Sequence, residues 1–436
     1  MGLRAEIIAI GTEVVMGEVV NSNASWLSQE LADLGVDVYF HTAVGDNPKR
    51  IQEVFTAALS RSNLILVTGG LGPTDDDLTI KTLADFFKQP LLRDESIAEG
   101  LRSFFIARGM PMSPTNLKQA DKAADAEFLP NAVGTAPGQL WDVSQYCQAL
   151  NLGQAPQVII AMPGVPSEMK HIWANEVIPR LRQRFESQLD EPLFSTSLKF
   201  FGIGESKLAE TLRDLMAQPS PSVAPYVGQA EVRVRIAAKG RGEAEAQEQI
   251  QPVVAEIKQR LSDYCYGQDE ETLESVVAGL LRQQNLTLSV AESCTGGLIS
   301  SRLTDVAGSS NYTRLNVVTY ANEAKSSLIH VPEALLAAHG AVSPEVAMAM
   351  ADGVRTLAQT DLAMAITGIA GPDGGSAEKP VGLAYIAISG LGRQSEAIKI
   401  TVNSRYERTK MKVWFSQYAL FELYKRLKVL PGVLAP

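Results

Sequence analysis

Two stretches of the 436-residue sequence hold residues whose order could do chemistry. The first is Thr68-Gly69-Gly70-Leu71-Gly72-Pro73-Thr74-Asp75-Asp76-Asp77-Leu78-Thr79, between an apolar run and a helical pattern. Its glycines let backbone amides approach an anion closely. Its carboxylates offer oxygen ligands to a hard divalent cation. Together they suit a pyrophosphate held by amides and a metal. No Gly-Lys-Ser/Thr follows the glycines, so this is not a P-loop. Gly11-Thr12-Glu13 and Gly45-Asp46 end two further strands and would line the same sheet edge, where open parallel sheets bind ligands. Asp75, Asp76 and Asp46 are the candidate metal ligands. Gly11, Glu13, Gly69, Gly70, Gly72 and Thr74 are the candidate substrate contacts. The alternative for Asp75 to Asp77 is that they cap the next helix.

The second stretch is Ala291-Glu292-Ser293-Cys294-Thr295-Gly296-Gly297, between a strand and a helix. Ser293 then stands near a helix N-terminus, where free amides and the dipole favour an oxyanion or a phosphate. It is a nucleophile or a cap, and a nearby base would decide. His330 and His339 lie outside any glycine- or polar-rich motif. Lysine offers another route. Thr319-Tyr320-Ala321-Asn322-Glu323-Ala324-Lys325 reads as a strand end, a cap and a first helical turn. The helix dipole disfavours positive charge on Lys325, and burial would add to that. A neutral lysine can deprotonate a serine, with Tyr320 placed to orient or relay the proton. Cys294 is the rival nucleophile. Gly308-Ser309-Ser310 and Thr367-Gly368-Ile369-Ala370-Gly371-Pro372 could cradle a phosphate, supply an oxyanion hole or simply turn the chain. Arg405 and Arg408 compete to pair a phosphate at the start of the last helix.

These residues need a scaffold, and hydrophobic periodicity supplies one. Ile7 to Ile10, Val36 to Val44, Leu64 to Val67 and Val158 to Met162 read as strands. Helices Asn23 to Leu34, capped by Gly35, and Ile51 to Leu59 alternate with them. That order implies a parallel sheet with helices on both faces. A polar cluster near 185–193, Ser187 included, breaks the chain. A βαββα module follows: Leu193 to Phe201, helix Ser206 to Met216, Ser222 to Val227, Val232 to Ala238, and helix Glu243 to Leu261. The third region has strands Leu286 to Val290, Leu315 to Tyr320, Leu362 to Ile366 and Val381 to Ile388. Its helices are Leu273 to Gln284, Thr295 to Leu303, Pro344 to Ala358 and Arg405 to Leu427. The chain is α/β, with expected domains at 1–185, 190–267 and 268–436.

Composition narrows the functions. Lys plus Arg number 39 against 49 Asp plus Glu, a net charge of −10. That balance argues against direct nucleic-acid binding and leaves room for a local basic pocket. The 4 histidines and 3 cysteines show no CxxC, HxxxH or HExxH spacing. A zinc site and a disulfide framework are therefore not expected, and a reducing compartment is. Glu6 and Gly11 interrupt any signal-peptide core, and Glu6 stands where a Gly2 myristoylation site wants Ser or Thr. No run reaches roughly 18 apolar residues. A cytoplasmic protein without a membrane anchor is expected.

A family resemblance adds to this reading. Gly11-Thr12-Glu13, Asn21-Ser22-Asn23, Gly45-Asp46 and the Gly-Gly-Leu-Gly-Pro-Thr run resemble the molybdopterin-binding, MoaB/MogA-like fold. Asn116-Leu117-Lys118-Gln119-Ala120, the segment from Pro130 to Gly138 and the segment from Met162 to Met169 resemble the competence/damage-inducible CinA family, essentially along the whole chain. The resemblance implies that the first domain is an ADP-ribose pyrophosphatase using a divalent metal. Phe201 to Ser206 and Val223-Ala224-Pro225-Tyr226 resemble the CinA linker domain, KH-like in element order. One residue separates Gly202 from Gly204 and Glu205 is acidic, unlike a GXXG nucleic-acid clamp. Scaffolding and homodimerisation are expected of this module.

Ala291 to Gly297, Gly308 to Ser310, Thr319 to Lys325, Gly340-Ala341-Val342-Ser343 and Thr367 to Pro372 resemble the CinA C-terminal domain, the nicotinamide-nucleotide amidase family. The resemblance implies hydrolysis of nicotinamide mononucleotide to nicotinate mononucleotide and ammonia, without a cofactor. It implies Ser293 as nucleophile, Lys325 as base, and Tyr320 and Ser310 as assistants. Thr295, Gly296, Gly297, Thr367, Gly368, Gly371 and Arg405 are the expected substrate contacts. Two alternatives stand beside this one: a pterin-type cofactor-binding module, and a non-enzymatic competence or DNA-repair partner.

Overall fold

A computed structural model of the chain describes residues 3–152, 157–186 and 188–430; Gly2 and Ser187, used above, lie outside them. The chain forms two compact units, Met1–Phe194 with Lys239–Gln247, and Ser195–Ala238 with Glu248–Pro436.

In the first unit the strands are β1 (Arg4–Ile10), β2 (Asp37–Val44), β3 (Leu64–Thr68), β4 (Leu91–Arg93), β5 (Asp121–Ala123), β6 (Glu127–Leu129), β7 (Gly138–Asp142) and β8 (Val158–Met162). The main sheet has the order β2-β1-β3-β8-β7-β6. β2, β1, β3 and β8 are parallel, as expected, but β7 runs antiparallel to β8, and β6 antiparallel to β7. The sheet is therefore mixed. β6 and β7 are short, and Gly-Gln-Leu-Trp-Asp carries no apolar run to announce a strand. Every residue of β3 and β8 is buried, because helices cover both faces. Alternation sorts the side chains between two cores. Ile7, Leu66 and Ile160 pack with Leu27, Leu31 and Trp173. Ile8, Val67 and Ile159 pack with Ile51, Phe55 and Leu83. The helix Ser22–Asp33 is capped by the Asn21 side chain, and Gly35 follows it at φ +70.

In the second unit, apart from the end residues Leu193, Phe194 and Lys239, β9 (Leu193–Phe200), β10 (Ser222–Val227), β11 (Val232–Lys239) and β12 (Cys265–Gln268) form a sheet ordered β10-β11-β9-β12. β12 extends the expected βαββα pattern. The expected helix Ser206 to Met216 divides into Glu205–Thr211 and Arg213–Met216. The last sheet has β13 (Leu288–Glu292), β14 (Thr313–Val318), β15 (Leu362–Gly368), β16 (Leu383–Gly390) and β17 (Arg393–Thr401) in the order β14-β13-β15-β16-β17. β14, β13 and β15 are parallel; β16 runs antiparallel to β15, and β17 antiparallel to β16. β17 is a polar edge strand, which periodicity passes over.

One face of this sheet packs Val290, Met364 and Ile386 against Val277, Leu281, Phe415 and Leu420. Phe201, just after β9, and Tyr266 of β12 belong to the same core. Phe201 meets Tyr418 and Phe421 at ring-centroid distances of 4.7 and 5.2 Å. The opposite face packs Ala291, Ala365 and Ala387 against Val346, Met350 and Val354 of the helix Pro344–Ala358. The helix Asn322–Ile329 meets that helix at Gly353, where a Cβ would lie 1.9 Å from the Ile329 carbonyl oxygen. The final helix spans Arg408–Lys428, so it begins after Arg405, not at it. Among the described residues no helix is long and apolar enough to cross a membrane.

Candidate functional site

β13 ends at Glu292, whose side chain is fully buried. Its Oε2 accepts hydrogen bonds from the Gly297 and Ile299 amides (3.0 and 3.2 Å), and its Oε1 from the Ser300 amide and hydroxyl (2.8 and 2.5 Å). One carboxylate thus caps the helix Leu298–Asp305. It occupies amides that the sequence reading offered to an oxyanion or a phosphate, and it removes helix capping as the reason for Ser293. Gly296 and Gly297, at φ +61 and +95, turn the loop between them.

Lys325 lies in the first turn of the helix Asn322–Ile329 and is 1% exposed. Its Nζ is 3.3 Å from Ser293 Oγ and donates to the carbonyls of Thr319 (2.8 Å) and Tyr320 (3.0 Å). Burial pushes this ammonium below the ordinary lysine range, against smaller opposing effects of Cys294 and Glu323. If the amine is neutral, donation of its two N–H bonds to the carbonyls would leave the lone pair for Ser293. Cys294 is buried, and desolvation pushes its thiol up to about 12. Thiolate is therefore negligible at neutral pH, and the thiolate is the form that reacts.

The other expected residues divide. Arg408 donates to the Gly371 carbonyl (2.5 Å) and to the Tyr320 hydroxyl (2.9 Å), which draws Gly371 and Tyr320 into the rim. Tyr320 is 60% exposed and meets Lys325 through its carbonyl, so its hydroxyl is turned to Arg408 instead of the Ser293–Lys325 pair. Arg405 is exposed in the turn before the helix, its amide bonded to Asn403; the structure puts Arg408 at the rim in its place. Ser310 sits exposed in the turn Ser309–Asn311 and makes no hydrogen bond to Ser293 or Lys325 among the described residues. Thr367 donates to the Ala341 carbonyl (2.8 Å). Gly368 serves sheet packing, since a Cβ there would lie 2.7 Å from the Leu383 carbonyl oxygen. Thr295 is buried with its hydroxyl unpartnered among the described residues. Sequence reasoning missed Lys412, whose Nζ lies 3.3 Å from where a Gly296 Cβ would stand. Its spacing from Arg408, i to i+4 on one helix face, was the available signal.

In the first unit a cleft of about 480 Å³ opens where β1, β3 and β8 end. Gly11, Glu13, Asp46, Gly69, Gly70, Gly72, Thr74 and Asp76 line it, as expected, whereas Asp75 does not. Asp77 lines it too and accepts from the Thr74 amide (2.9 Å) and hydroxyl (2.5 Å). Asp46 accepts from the Thr12 amide and hydroxyl, both at 2.8 Å. The aspartates do not cap the next helix: Thr79–Phe86 has Leu78 at its N-cap and no side-chain cap. Gly69, at φ +99, would put a Cβ 2.1 Å from the Ile10 carbonyl oxygen, so only glycine closes this loop. Asn23 and Gln119 also line the cleft.

The cleft's charge is one-sided. Five lining residues are carboxylates (Glu13, Asp46, Asp76, Asp77 and Glu168), and none is Lys, Arg or His. Lys118 Nζ is bonded to the Thr74 carbonyl at 2.7 Å and does not line it. Among the described residues no three His, Cys, Asp or Glu side chains converge as a ready-made metal cage. The donor set fits a cation held by one or two carboxylates and completed by the ligand's phosphates, as Mg²⁺ commonly is.

Comparison with known proteins covers the whole chain. It matches the CinA C-terminal domain over residues 270–427, the damage-inducible protein CinA KH domain over 195–267, and the "probable molybdopterin binding domain" over 6–183. A CinA-like protein of Gloeobacter violaceus is 45% identical over 420 residues, 96% of each chain. One from Trichormus variabilis is 44% identical over 425 residues, 98% of this chain and 99% of that protein. Among solved structures, competence/damage inducible protein CihA of Agrobacterium tumefaciens is 37% identical, with 36% of this chain and 95% of that one covered and a TM-score of 0.34. A MoaB/MogA-like domain, a KH-like domain and a CinA C-terminal domain therefore follow one another along the sequence, and the chain belongs to the CinA family.

Proposed function

We propose that the C-terminal domain is an amidohydrolase that converts nicotinamide mononucleotide to nicotinate mononucleotide and ammonia. The 3.3 Å approach of Lys325 Nζ to Ser293 Oγ carries this reading. Ser293 Oγ attacks the carboxamide carbon while its proton passes to neutral Lys325. The tetrahedral adduct collapses; the C–N bond breaks, and the departing nitrogen takes the proton from Lys325 and leaves as ammonia. Water then attacks the ester on Ser293. Lys325 accepts one water proton and returns it to Ser293 Oγ as the C–O bond to serine breaks; the product leaves as the carboxylic acid and gives its remaining proton to solvent. The Thr319 and Tyr320 carbonyls hold the amine in one orientation through both transfers. Arg408, not Arg405, would pair the substrate's phosphate; its reach to Gly371 and Tyr320 supports that choice. Ser293→Ala should abolish ammonia release, and Cys294→Ala should leave most of it; the reverse result refutes the assignment.

The N-terminal cleft is proposed to hydrolyse ADP-ribose to AMP and ribose 5-phosphate. A diphosphate cannot enter a cleft lined by carboxylates without charge compensation. Asp46 and Asp76 would hold the divalent cation that supplies it, and the amides of Gly69 to Gly72 would meet the phosphate oxygens. AMP release that persists in chelator would remove the metal from this account. A protein that turns over neither nucleotide would return the reading to a pterin-binding or competence role.

A further inference from the structure

We propose that Lys412 is a specificity-determining residue of the C-terminal site, forming with Arg408 a two-cation seat for a phosphomonoester dianion. The inference rests on the amidase reading for the identity of the substrate, but not for the existence of the seat.

Arg408 and Lys412 are one helical turn apart on the helix Arg408–Lys428, so their side chains leave the same face. Arg408 reaches Gly371 and Tyr320, and Lys412 reaches Gly296. Both therefore converge on the loops around Ser293 from one side. Among the described residues neither is paired with a carboxylate. The hydrogen bonds of Arg408 go to a carbonyl and a phenol, and Lys412 Nζ has no ion pair or hydrogen bond among the described residues. Elsewhere in this acidic chain cations are commonly matched, as Arg302 is with Glu274, Arg260 with Asp214 and Arg61 with Glu6. Two cations without counter-charges beside a nucleophile loop describe a site for an anion. Arg408 offers a planar fork and Lys412 a point charge, the usual pair of tools for a phosphate.

The carboxamide of a nicotinamide nucleotide and its phosphate are a ribose apart. An amide at Ser293 places the phosphate toward the helix face that carries both cations. Lys412 then separates the nucleotide from its nucleoside, which lacks the charge to fill the seat.

The test compares the full chain with Lys412→Met and Lys412→Arg, using nicotinamide mononucleotide and nicotinamide riboside. Lys412→Met should raise KM for the mononucleotide about tenfold, with kcat little changed and riboside turnover unaffected. Lys412→Arg should restore most of the loss. The gap between wild type and Lys412→Met should narrow below pH ~6, where a phosphomonoester loses its second charge. Equal changes for both substrates, or none, would overturn the proposal. If wild type releases ammonia from neither, titration with ribose 5-phosphate decides. Weaker binding to Lys412→Met than to Lys412→Arg upholds the seat while the amidase reading falls, and equal binding to both removes the seat.

Discussion

The C-terminal site buries one lysine beside a serine, whereas the N-terminal cleft gathers five carboxylates and no cation. In the first, burial weakens the lysine's hold on its proton, and two carbonyls fix its amine beside the serine. In the second, the side chains organise a loop and repel the anion that the loop amides invite. Such a cleft acts on a diphosphate only with a cation brought from outside. A buried base is fixed by folding, while a carboxylate-lined cleft depends on its solution.

That contrast can be broken in graded ways. Chelation should give the largest effect, with ADP-ribose cleavage lost and ammonia release unchanged in the same sample. Parallel loss of both would end the division of labour. Next, Lys325→Met should lower ammonia release by about 10²–10⁴-fold. In wild type the rate should rise with pH as Lys325 loses its proton, with a midpoint below the ordinary lysine value, because the neutral form is active and burial favours it. A rate that falls over that range would make the ammonium the working form. Arg408→Ala should raise KM about tenfold and Arg405→Ala should not move it, since only Arg408 reaches the rim. Smallest in activity, Glu292→Gln should act through folding. It exchanges an acceptor of four hydrogen bonds for an amide that must turn a donor toward some of them. The cost is about 1–3 kcal/mol in denaturant unfolding of the second unit.

Much of this was legible because it is local. Ser293 directly follows a strand end and Lys325 lies in the first turn of a helix, and both signals are carried by a few neighbouring residues. The glycines after β3 announce their loop for the same reason. Long-range pairing was less visible. β7 and β17 join the sheets antiparallel without an apolar pattern, so their polar residues read as loop. The choice between Arg405 and Arg408 depends on where the final helix starts, and the Asn403–Tyr406 turn decides that. The free amides expected beside Ser293 were already taken by Glu292, the residue before it. Asp75 shares its neighbours' type but not their place, because the loop aims Asp76 and Asp77 into the cleft and leaves Asp75 out of its lining.

Gly353 sets a tolerance for the Ser293–Lys325 pair from outside it. The helix carrying Lys325 ends against this residue, with no room for a methyl group below the Ile329 carbonyl. Any side chain there acts as a shim, lifting the helix and carrying the amine away from the hydroxyl it must reach. Gly353→Ala would then behave as a remote lesion: every catalytic atom present, the gauge between two of them wrong. A survey of inactive variants in this chain should find position 353 grouped with Ser293 and Lys325, although it touches neither substrate nor proton.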